Sequence, residues 1–243
     1  DAVAAMGSTG GFATHAVVNA KQVLKLPPGF ALEDGAAFAL TYGTSHHALI
    51  DRAALQPGET VLVLGAAGGV GTSAIQIAKA AGARVIAAAS SDEKCAFCKT
   101  LGADATINYS TQNVRDVLQE LTAGKGPDVV YDPVGGDLAE PVFRSIAWRG
   151  RYLVIGFAQG GIPALPWNLA LLKGASIVGV FWGNFVRREP EASAKGMAHL
   201  AQWYAEGKIK PAIDQRLPML QLPAAYARMA TRKVQGKVLM VNG

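Results

Sequence analysis

The chain of 243 residues contains only two cysteines, and charged and aromatic residues make up only 17% and 7% of it. Two cysteines cannot build the disulfide framework that is typical of small secreted proteins. No apolar run approaches the roughly 18 residues that a membrane-spanning helix requires. The first residues lack the basic and apolar regions of a signal peptide. These absences predict a globular, cytoplasmic protein without a membrane partner.

The surplus of positive charge is also small. The formal net charge is +5, and the basic residues are scattered along the chain. A surplus this diffuse suits small anions such as phosphates and does not indicate nucleic-acid binding. We therefore expect a small-molecule partner and no nucleic-acid partner.

The middle of the chain alternates short apolar runs with helical patterns. This rhythm predicts βαβ units and a parallel sheet that helices cover on both faces. Six such strands match the α/β, doubly wound Rossmann fold that binds dinucleotides. The predicted strands are 60–65, 84–89, 105–108, 128–132, 150–155 and 175–180, and the predicted helices are 70–81, 92–101, 111–123 and 137–147.

The two ends of the chain do not follow this rhythm. Residues 1–33 predict short β segments separated by turns. The tail from about residue 186 predicts a helix, a strand-like KIKPAI at 208–213, a further helix after Pro223 and a closing strand at KVLMVN. Both ends therefore look like parts of a second, β-rich lobe beside the sheet.

A glycine cluster follows the first strand of the predicted sheet. In the fingerprint G-x-G-x-x-G, Ala66 replaces the first glycine, and Gly68 and Gly71 hold the second and third places. The second glycine lets the backbone approach a pyrophosphate, and the third lets the helix pack close to the strand. The free N–H groups and the positive dipole end of the helix attract phosphates. A purely structural turn is the alternative, but the strand–turn–helix context favours nucleotide binding.

The end of the second strand indicates which dinucleotide binds. An NAD site places an acidic residue there, whereas this strand runs into Ser90 and Ser91, with Lys94 close behind. Hydroxyl groups and an ammonium suit a 2′-phosphate, which favours NADP(H). The alternative is that one serine caps the following helix and that Asp92 and Glu93 occupy its first turn. The two interpretations are compatible.

The runs LTYGTSHHAL, PGETVLVLGAAGGVGTSAIQIAKAAGARVIA, GGFATHAVV and GKVLMV together resemble the medium-chain dehydrogenase/reductases. Within them the chain resembles the zinc-free NADPH:quinone oxidoreductases of the zeta-crystallin type. The resemblance implies residues 1–34 as the end of an N-terminally truncated GroES-like domain, 35–185 as the NADP-binding Rossmann domain and 186–243 as a return segment. It also implies a homodimer joined through the edge strand at 175–181, since exposed apolar edges favour pairing.

The resemblance assigns one group of residues to the phosphates of the cofactor. Tyr42 and Thr44 would lie beside the phosphates and the nicotinamide ribose. Gly68, Gly69 and Val70 would bind the pyrophosphate.

A second group would surround the 2′-phosphate. Ser90 and Tyr109 would approach it by hydrogen bonds and Lys94 by charge. The alternative for Tyr109 is a half-buried aromatic residue of a strand.

The remaining implied contacts follow the last strands of the sheet. Gly156 and Phe157 would pass near the cofactor, and Phe181 and Gly183 would meet its nicotinamide end. Lys237 would approach the adenosine phosphate. Further aromatic candidates for contact with a flat substrate are Trp167 and Trp182.

No catalytic metal is expected. The segment 40–44, where zinc-dependent relatives place a cysteine, contains neither cysteine nor histidine. His46 and His47 are adjacent on a helix and point about 100° apart, so they would not both face one ion. Cys95 and Cys98 form a CxxC motif without a second ligand pair, and we interpret them as packing residues. His199 is isolated in the sequence.

The implied activity is hydride transfer from NADPH to a quinone or a related electron-poor enone. A 2-alkenal or enoyl-thioester C=C reductase and a non-catalytic NADP(H)-binding module are the alternatives. The sequence identifies no catalytic residue. Asp132 ends a predicted strand at the ligand-binding edge, but turn formation in DPVGG explains it equally well.

Overall fold

A six-stranded parallel sheet organises this computed structural model, which describes residues 1–7 and 9–242. The spatial order is β5-β4-β3-β6-β7-β8, and every neighbouring pair is parallel. This is the order of a doubly wound Rossmann sheet, so the predicted fold class is confirmed. The strands are β3 (Thr60–Val63), β4 (Arg84–Ala89), β5 (Ala105–Asn108), β6 (Val129–Asp132), β7 (Arg151–Val154) and β8 (Ser176–Gly179).

The central strands are buried because helices cover both faces of the sheet. The core accordingly divides into two clusters, in which successive residues of one strand alternate between the faces. Val61 and Val63 of β3 pack on one side, and Leu62 packs on the other. Unbroken apolar runs are typical of such two-sided burial.

Nine helices connect and flank the strands in the described residues. Four of them were predicted: α2, α3, α4 and α5 begin within three residues of the predicted starts, α2 has the predicted length of 12 residues, and the other three are shorter than predicted. The helices are α1 (Leu32–His46), α2 (Gly69–Ala80), α3 (Asp92–Thr100), α4 (Val114–Leu121), α5 (Ala139–Arg144), α6 (Asn168–Lys173), α7 (Trp182–Arg188), α8 (Pro190–Ala205) and α9 (Leu222–Ala230). A π-helical segment, His47–Arg52, continues α1 directly.

The ends of the chain form two small sheets of their own. β1 (Val3–Ala5) pairs antiparallel with β2 (Val23–Lys25), and β9 (Ile213–Pro218) pairs parallel with β10 (Lys237–Val241). The β character predicted for GGFATHAVV is wrong, because residues 10–18 adopt bends and irregular backbone.

The strand predicted at KIKPAI starts late, at Ile213. The side chain of Gln76 explains the delay, because it hydrogen-bonds both backbone groups of Lys210. Gln76 Oε1 accepts from Lys210 N at 2.7 Å, and Gln76 Nε2 donates to Lys210 O at 2.9 Å. Pro211 then offers no N–H for strand pairing.

The tail packs directly against the glycine cluster. Gly236 N donates to Ala67 O at 2.8 Å, and Gly236 forms an isolated parallel bridge with Gly68. The start of β10 therefore lies beside the start of α2.

No helix in the described part of the chain is long and apolar enough to cross a membrane.

Candidate functional site

The carboxyl ends of β3 and β6 lie side by side where the strand order reverses. In doubly wound folds, ligands bind in the crevice at this switch point. The two following turns touch, since a Cβ on Gly65 would lie 2.8 Å from Val134 Cγ2. Gly65 has φ +57°, a left-handed conformation that favours glycine. Sequence reasoning overlooked Gly65, although a glycine directly after a buried strand is a signal for such a turn.

Gly71 brings α2 close to β3. A Cβ on this residue would lie 2.5 Å from Gly65 O and 2.7 Å from Ala66 Cα, and these backbone atoms cannot move aside without shifting the turn. The third position of the fingerprint therefore has the close-packing role that the sequence predicted.

The first turn of α2 presents unpaired backbone donors. A helix start leaves its first N–H groups without intrahelical acceptors. Within the described residues, the N–H groups of Gly69, Val70 and Gly71 have no hydrogen-bond partner. Gly68, which precedes the helix, is extended and half-buried. This turn therefore has the free donors that an anion requires.

Lys237, at the start of β10, lies over the same turn. A Cβ on Gly69 would lie 2.8 Å from Lys237 Cδ and 3.4 Å from Thr41 Cγ2. Burial lowers the pKa of the Lys237 ammonium, which has no hydrogen-bond partner among the described residues. An unpaired, half-buried cation beside free amide donors is stabilised by a bound anion.

A second polar cluster follows β4 and β5. Lys94 Nζ lies 3.5 Å from Ser90 Oγ and donates to the carbonyl of Arg232 at 2.5 Å. Burial raises the pKa of Tyr109, while a hydrogen bond with Ser90 and the charge of Arg232 lower it in part. The structure therefore brings Ser90, Lys94 and Tyr109 together. It adds Arg232, which sequence reasoning missed because it lies in the distant tail.

The alternative interpretation, in which one serine caps the helix after β4, also holds. Ser91 Oγ caps α3 by accepting from Lys94 N at 3.3 Å, and Asp92 Oδ1 accepts from Asn108 Nδ2 at 2.7 Å. The cap uses Ser91 and leaves the Ser90 hydroxyl facing Lys94. The Asp92 carboxylate is thus engaged within the protein.

Two residues assigned to the phosphates lie inside the core. Tyr42 is 1% exposed, and its hydroxyl donates to Gln76 Oε1 at 2.9 Å, while Thr44 is buried on the same helix. The structure does not bring the side chain of Tyr42 to the surface of the glycine turn. Thr41, on the same helix, lies beside Gly69 of the turn, and its carbonyl accepts a hydrogen bond from Ser73 Oγ of α2 at 3.0 Å.

The remaining predicted residues lie at the carboxyl ends of β7 and β8. Phe157 contacts the turn after β6, because a Cβ on Gly135 would lie 2.8 Å from Phe157 Cδ1, and Gly156 is its half-buried neighbour. Phe181 is 67% exposed and lies beside Gly183.

An apolar cavity of about 520 Å³ opens beside Phe181. Trp182 lines it but is otherwise buried, and its ring covers Gly43, where a Cβ would lie 2.5 Å from the ring. Further apolar lining residues come from β2 and α8, namely Val23, Leu24 and Met197. The other aromatic candidate, Trp167, lies on the surface before α6, with 88% of its side chain exposed.

Asp132 forms the turn after β6. Its Oδ1 accepts from Val134 N at 2.7 Å and from Gly135 N at 2.9 Å, and its Oδ2 accepts from the Tyr152 hydroxyl at 2.6 Å. The turn-forming interpretation therefore describes this carboxylate. Burial, followed by the Asp132 charge and hydrogen bond, raises the pKa of Tyr152.

The two cysteines pack in the core, whereas two of the histidines contact each other. Cys95 and Cys98 are buried, and burial raises the pKa of both thiols, as expected for packing residues. His199 is not isolated in space, because His46 Nε2 lies 3.1 Å from its Nδ1. Among the described residues, no group of three His, Cys, Asp or Glu side chains is placed to hold a metal ion.

Comparisons with known proteins identify relatives of the chain. The family model described as zinc-binding dehydrogenase matches residues 69–201. The donor set described above does not fit a zinc ion held by three protein ligands. The quinone oxidoreductase-like protein 2 of Bos taurus is 37% identical over 241 residues, which are 99% of this chain and 69% of that protein.

Two further similarities bear on activity. Prostaglandin reductase-3 of Bos taurus is 38% identical over 216 residues, covering 84% of this chain and 55% of that protein. The quinone oxidoreductase of Thermus thermophilus, solved also with NADPH, is 32% identical with a TM-score of 0.86. That match covers 98% of this chain and 76% of the solved chain.

Proposed function

We propose that the chain binds NADP(H) and acts as an oxidoreductase that transfers hydride to a quinone or a related electron-poor enone. The chain belongs to the quinone oxidoreductase-like medium-chain dehydrogenase/reductases. The observation that carries this proposal is a pair of polar clusters suited to anions, one at the glycine turn and one beside Ser90, at the carboxyl edge of a single sheet.

The glycine turn fits a pyrophosphate. The free N–H groups of Gly69 and Val70 point out of a helix start, which attracts phosphate through both its donors and its dipole. Gly68 leaves the backbone open to a close approach. The unpaired ammonium of Lys237 supplies a positive charge at the same place.

The cluster after β4 fits a 2′-phosphate. Ser90 and Tyr109 offer hydroxyl groups, and Lys94 and Arg232 offer positive charge. Asp92, the carboxylate that would favour the unphosphorylated coenzyme, is held by Asn108. These contacts support NADP(H) over NAD(H).

When bound, the nicotinamide supplies a hydride. Four residues at the ends of β7 and β8 would flank its ring, namely Gly156, Phe157, Phe181 and Gly183. The apolar cavity beside Phe181 would position a flat substrate and exclude water from it.

Replacing Lys94 with alanine tests the cofactor assignment. Loss of the ammonium should weaken NADPH binding, measured by fluorescence titration, about tenfold or more, since charge-assisted contacts are worth about 1.5–3 kcal/mol. NADH binding should hardly change. Lys99→Ala, on the same helix, is the control and should leave both affinities unchanged. Equal losses for NADPH and NADH in Lys94→Ala would refute the 2′-phosphate assignment.

Turnover separates the candidate activities. NADPH oxidation should be faster with 1,4-benzoquinone or 9,10-phenanthrenequinone than with a 2-alkenal. The similarity to a solved enoyl reductase, at 28% identity and a TM-score of 0.82, supports the second candidate, reduction of a C=C bond, for which the preference would be reversed. NADPH binding without turnover of either class would instead support a non-catalytic binding module.

The edge of the sheet supports a homodimer. β8 pairs only with β7 within the described residues, and Ile177 on it is 44% exposed. Leu171 and Leu172 of the adjoining α6 are also exposed. Light scattering at micromolar concentration should give a dimer mass, and Ile177→Lys should give a monomer. A monomeric unmodified protein would refute this arrangement.

The small sheets support a division of the chain. We assign residues 35–185 to the nucleotide-binding domain, and 1–34 and 186–243 to a GroES-like lobe and its return segment. The pairs β1–β2 and β9–β10 are separate from the six-stranded sheet, as this division requires.

A further inference from the structure

A second cavity, of about 300 Å³, lies between α1, α7 and α8. We call it the histidine cavity, because His46, His47 and His199 all line it. None of the residues assigned above to the nucleotide contributes to its wall. The proposed nucleotide site therefore does not account for this cluster of imidazoles.

Two of the imidazoles present nitrogen atoms to each other. His46 Nε2 lies 3.1 Å from His199 Nδ1, and the two rings meet edge to face. His46 is 9% exposed and ends α1, whereas His199 lies on α8 and packs against Trp203. The absence of a side chain at Gly196 makes room for the His46 ring, since a Cβ there would lie 3.2 Å from His46 Nδ1.

The histidine cavity also contains a third imidazole, which pairs with a carboxylate. His47 Nδ1 is buried, and Asp51 Oδ2 lies 2.7 Å from it. The carboxylate of Asp51 adds negative charge to the wall, and Ser193 adds a hydroxyl. The cavity thus combines nitrogen donors with a nearby anion.

We propose that His46 Nε2 and His199 Nδ1 bind one divalent transition-metal ion, with water filling its other positions. Metal–nitrogen distances near 2.0–2.1 Å and the observed 3.1 Å separation give an angle of about 100° at the ion. That value lies between the square and tetrahedral angles that such ions adopt. Two protein ligands are consistent with the finding that no group of three is present in the described residues.

Binding at this pair requires no redox chemistry and no net proton release. Each neutral imidazole carries one N–H, and the hydrogen between the two facing nitrogens moves to the outer nitrogen of its ring. Both facing nitrogens then have a lone pair available for the ion. Asp51 offsets its charge, and the cation Lys195 is exposed and free to turn outward. The ion would connect α1 to α8 and has no part in hydride transfer.

Titration calorimetry with zinc chloride alone tests the proposal on chelator-treated protein. We expect one Zn²⁺ per chain and a loss of affinity of at least tenfold in His199→Gln, since even outer-shell changes commonly cost about 10–100-fold. His15→Gln is the matched control, because His15 lies in the exposed N-terminal segment, and it should bind zinc like the unmodified protein. Co²⁺ absorption should show bands of nitrogen coordination that His199→Gln loses.

If His199→Gln does not fold, zinc protection of His46 and His199 from diethylpyrocarbonate in the unmodified chain gives the same information. Protection of these two histidines but not of His15 supports the site. Absence of zinc binding, equal affinity in both variants, or equal protection of His15 would overturn it. None of these measurements depends on NADPH, so the result is independent of the proposed function.

Discussion

Replacing Gly71 with alanine should destabilise the chain by about 1–2 kcal/mol. The new Cβ would lie 2.5 Å from Gly65 O and 2.7 Å from the backbone of Ala66, so either α2 or the turn must shift. Overpacking of this kind costs about 1–3 kcal/mol, and the better helix propensity of alanine returns up to about 1 kcal/mol. A domain of this size should then lose roughly 2–8 °C in Tm. Calorimetry and NADPH titration measure the two consequences.

Gly69→Ala is the matched control for that experiment. Its Cβ would meet Lys237 Cδ at 2.8 Å, which is the middle of a flexible side chain that can swing away. Stability should therefore stay within about 0.5 kcal/mol, while NADPH binding weakens because the ammonium has left the turn. Gly71→Ala should lose both stability and binding. If Gly71→Ala melts at or above the temperature of the unmodified protein, the close-packing argument is wrong.

Three further predictions concern charged groups. Lys237→Ala should weaken NADPH and NADH equally in fluorescence titrations, because its ammonium lies at the pyrophosphate turn; a selective loss of NADPH would refute this placement. Burial lowers the pKa of His46 from 6.5 to about 4, so the unfolded chain takes up the proton at a higher pH than the folded chain. The free energy of unfolding, measured with urea, should therefore fall by about 3 kcal/mol as the pH falls from 6.5 to 4. His46→Gln should remove this loss. Arg151 makes two hydrogen bonds to Glu59, at 2.7 and 2.6 Å; Arg151→Met should cost about 2 kcal/mol in urea denaturation, and an unchanged midpoint would show that the pair adds nothing.

The sheet could be predicted because its signals are local. The interior of each central strand is apolar, and a turn residue or a helix cap follows the strand, such as Ser91 after β4. The glycine turn was identifiable for the same reason, since Gly68 and Gly71 lie within one strand–turn–helix unit. The role of Gly65 was not predicted, because its left-handed φ is a property of the turn and is not part of the G-x-G-x-x-G fingerprint.

Contacts between distant segments could not be predicted. Arg232 reaches the Lys94 cluster, and His199 reaches His46, only because the tail folds back over the sheet. Sequence spacing carries no information about such approaches. The late start of β9 has the same origin, because the side chain of Gln76 supplies the hydrogen bonds of Lys210 that a strand would otherwise provide.

The bridge between Gly68 and Gly236 has a consequence for biosynthesis. Domains generally begin to fold while the ribosome is still extending them, so the turn and its neighbouring strands emerge well before Lys237 has been added. During that interval the coenzyme would meet the glycine turn without Lys237 and would contribute little ligand-linked stability. Any stability that a bound nucleotide adds at this turn would therefore come only after β10 has been translated.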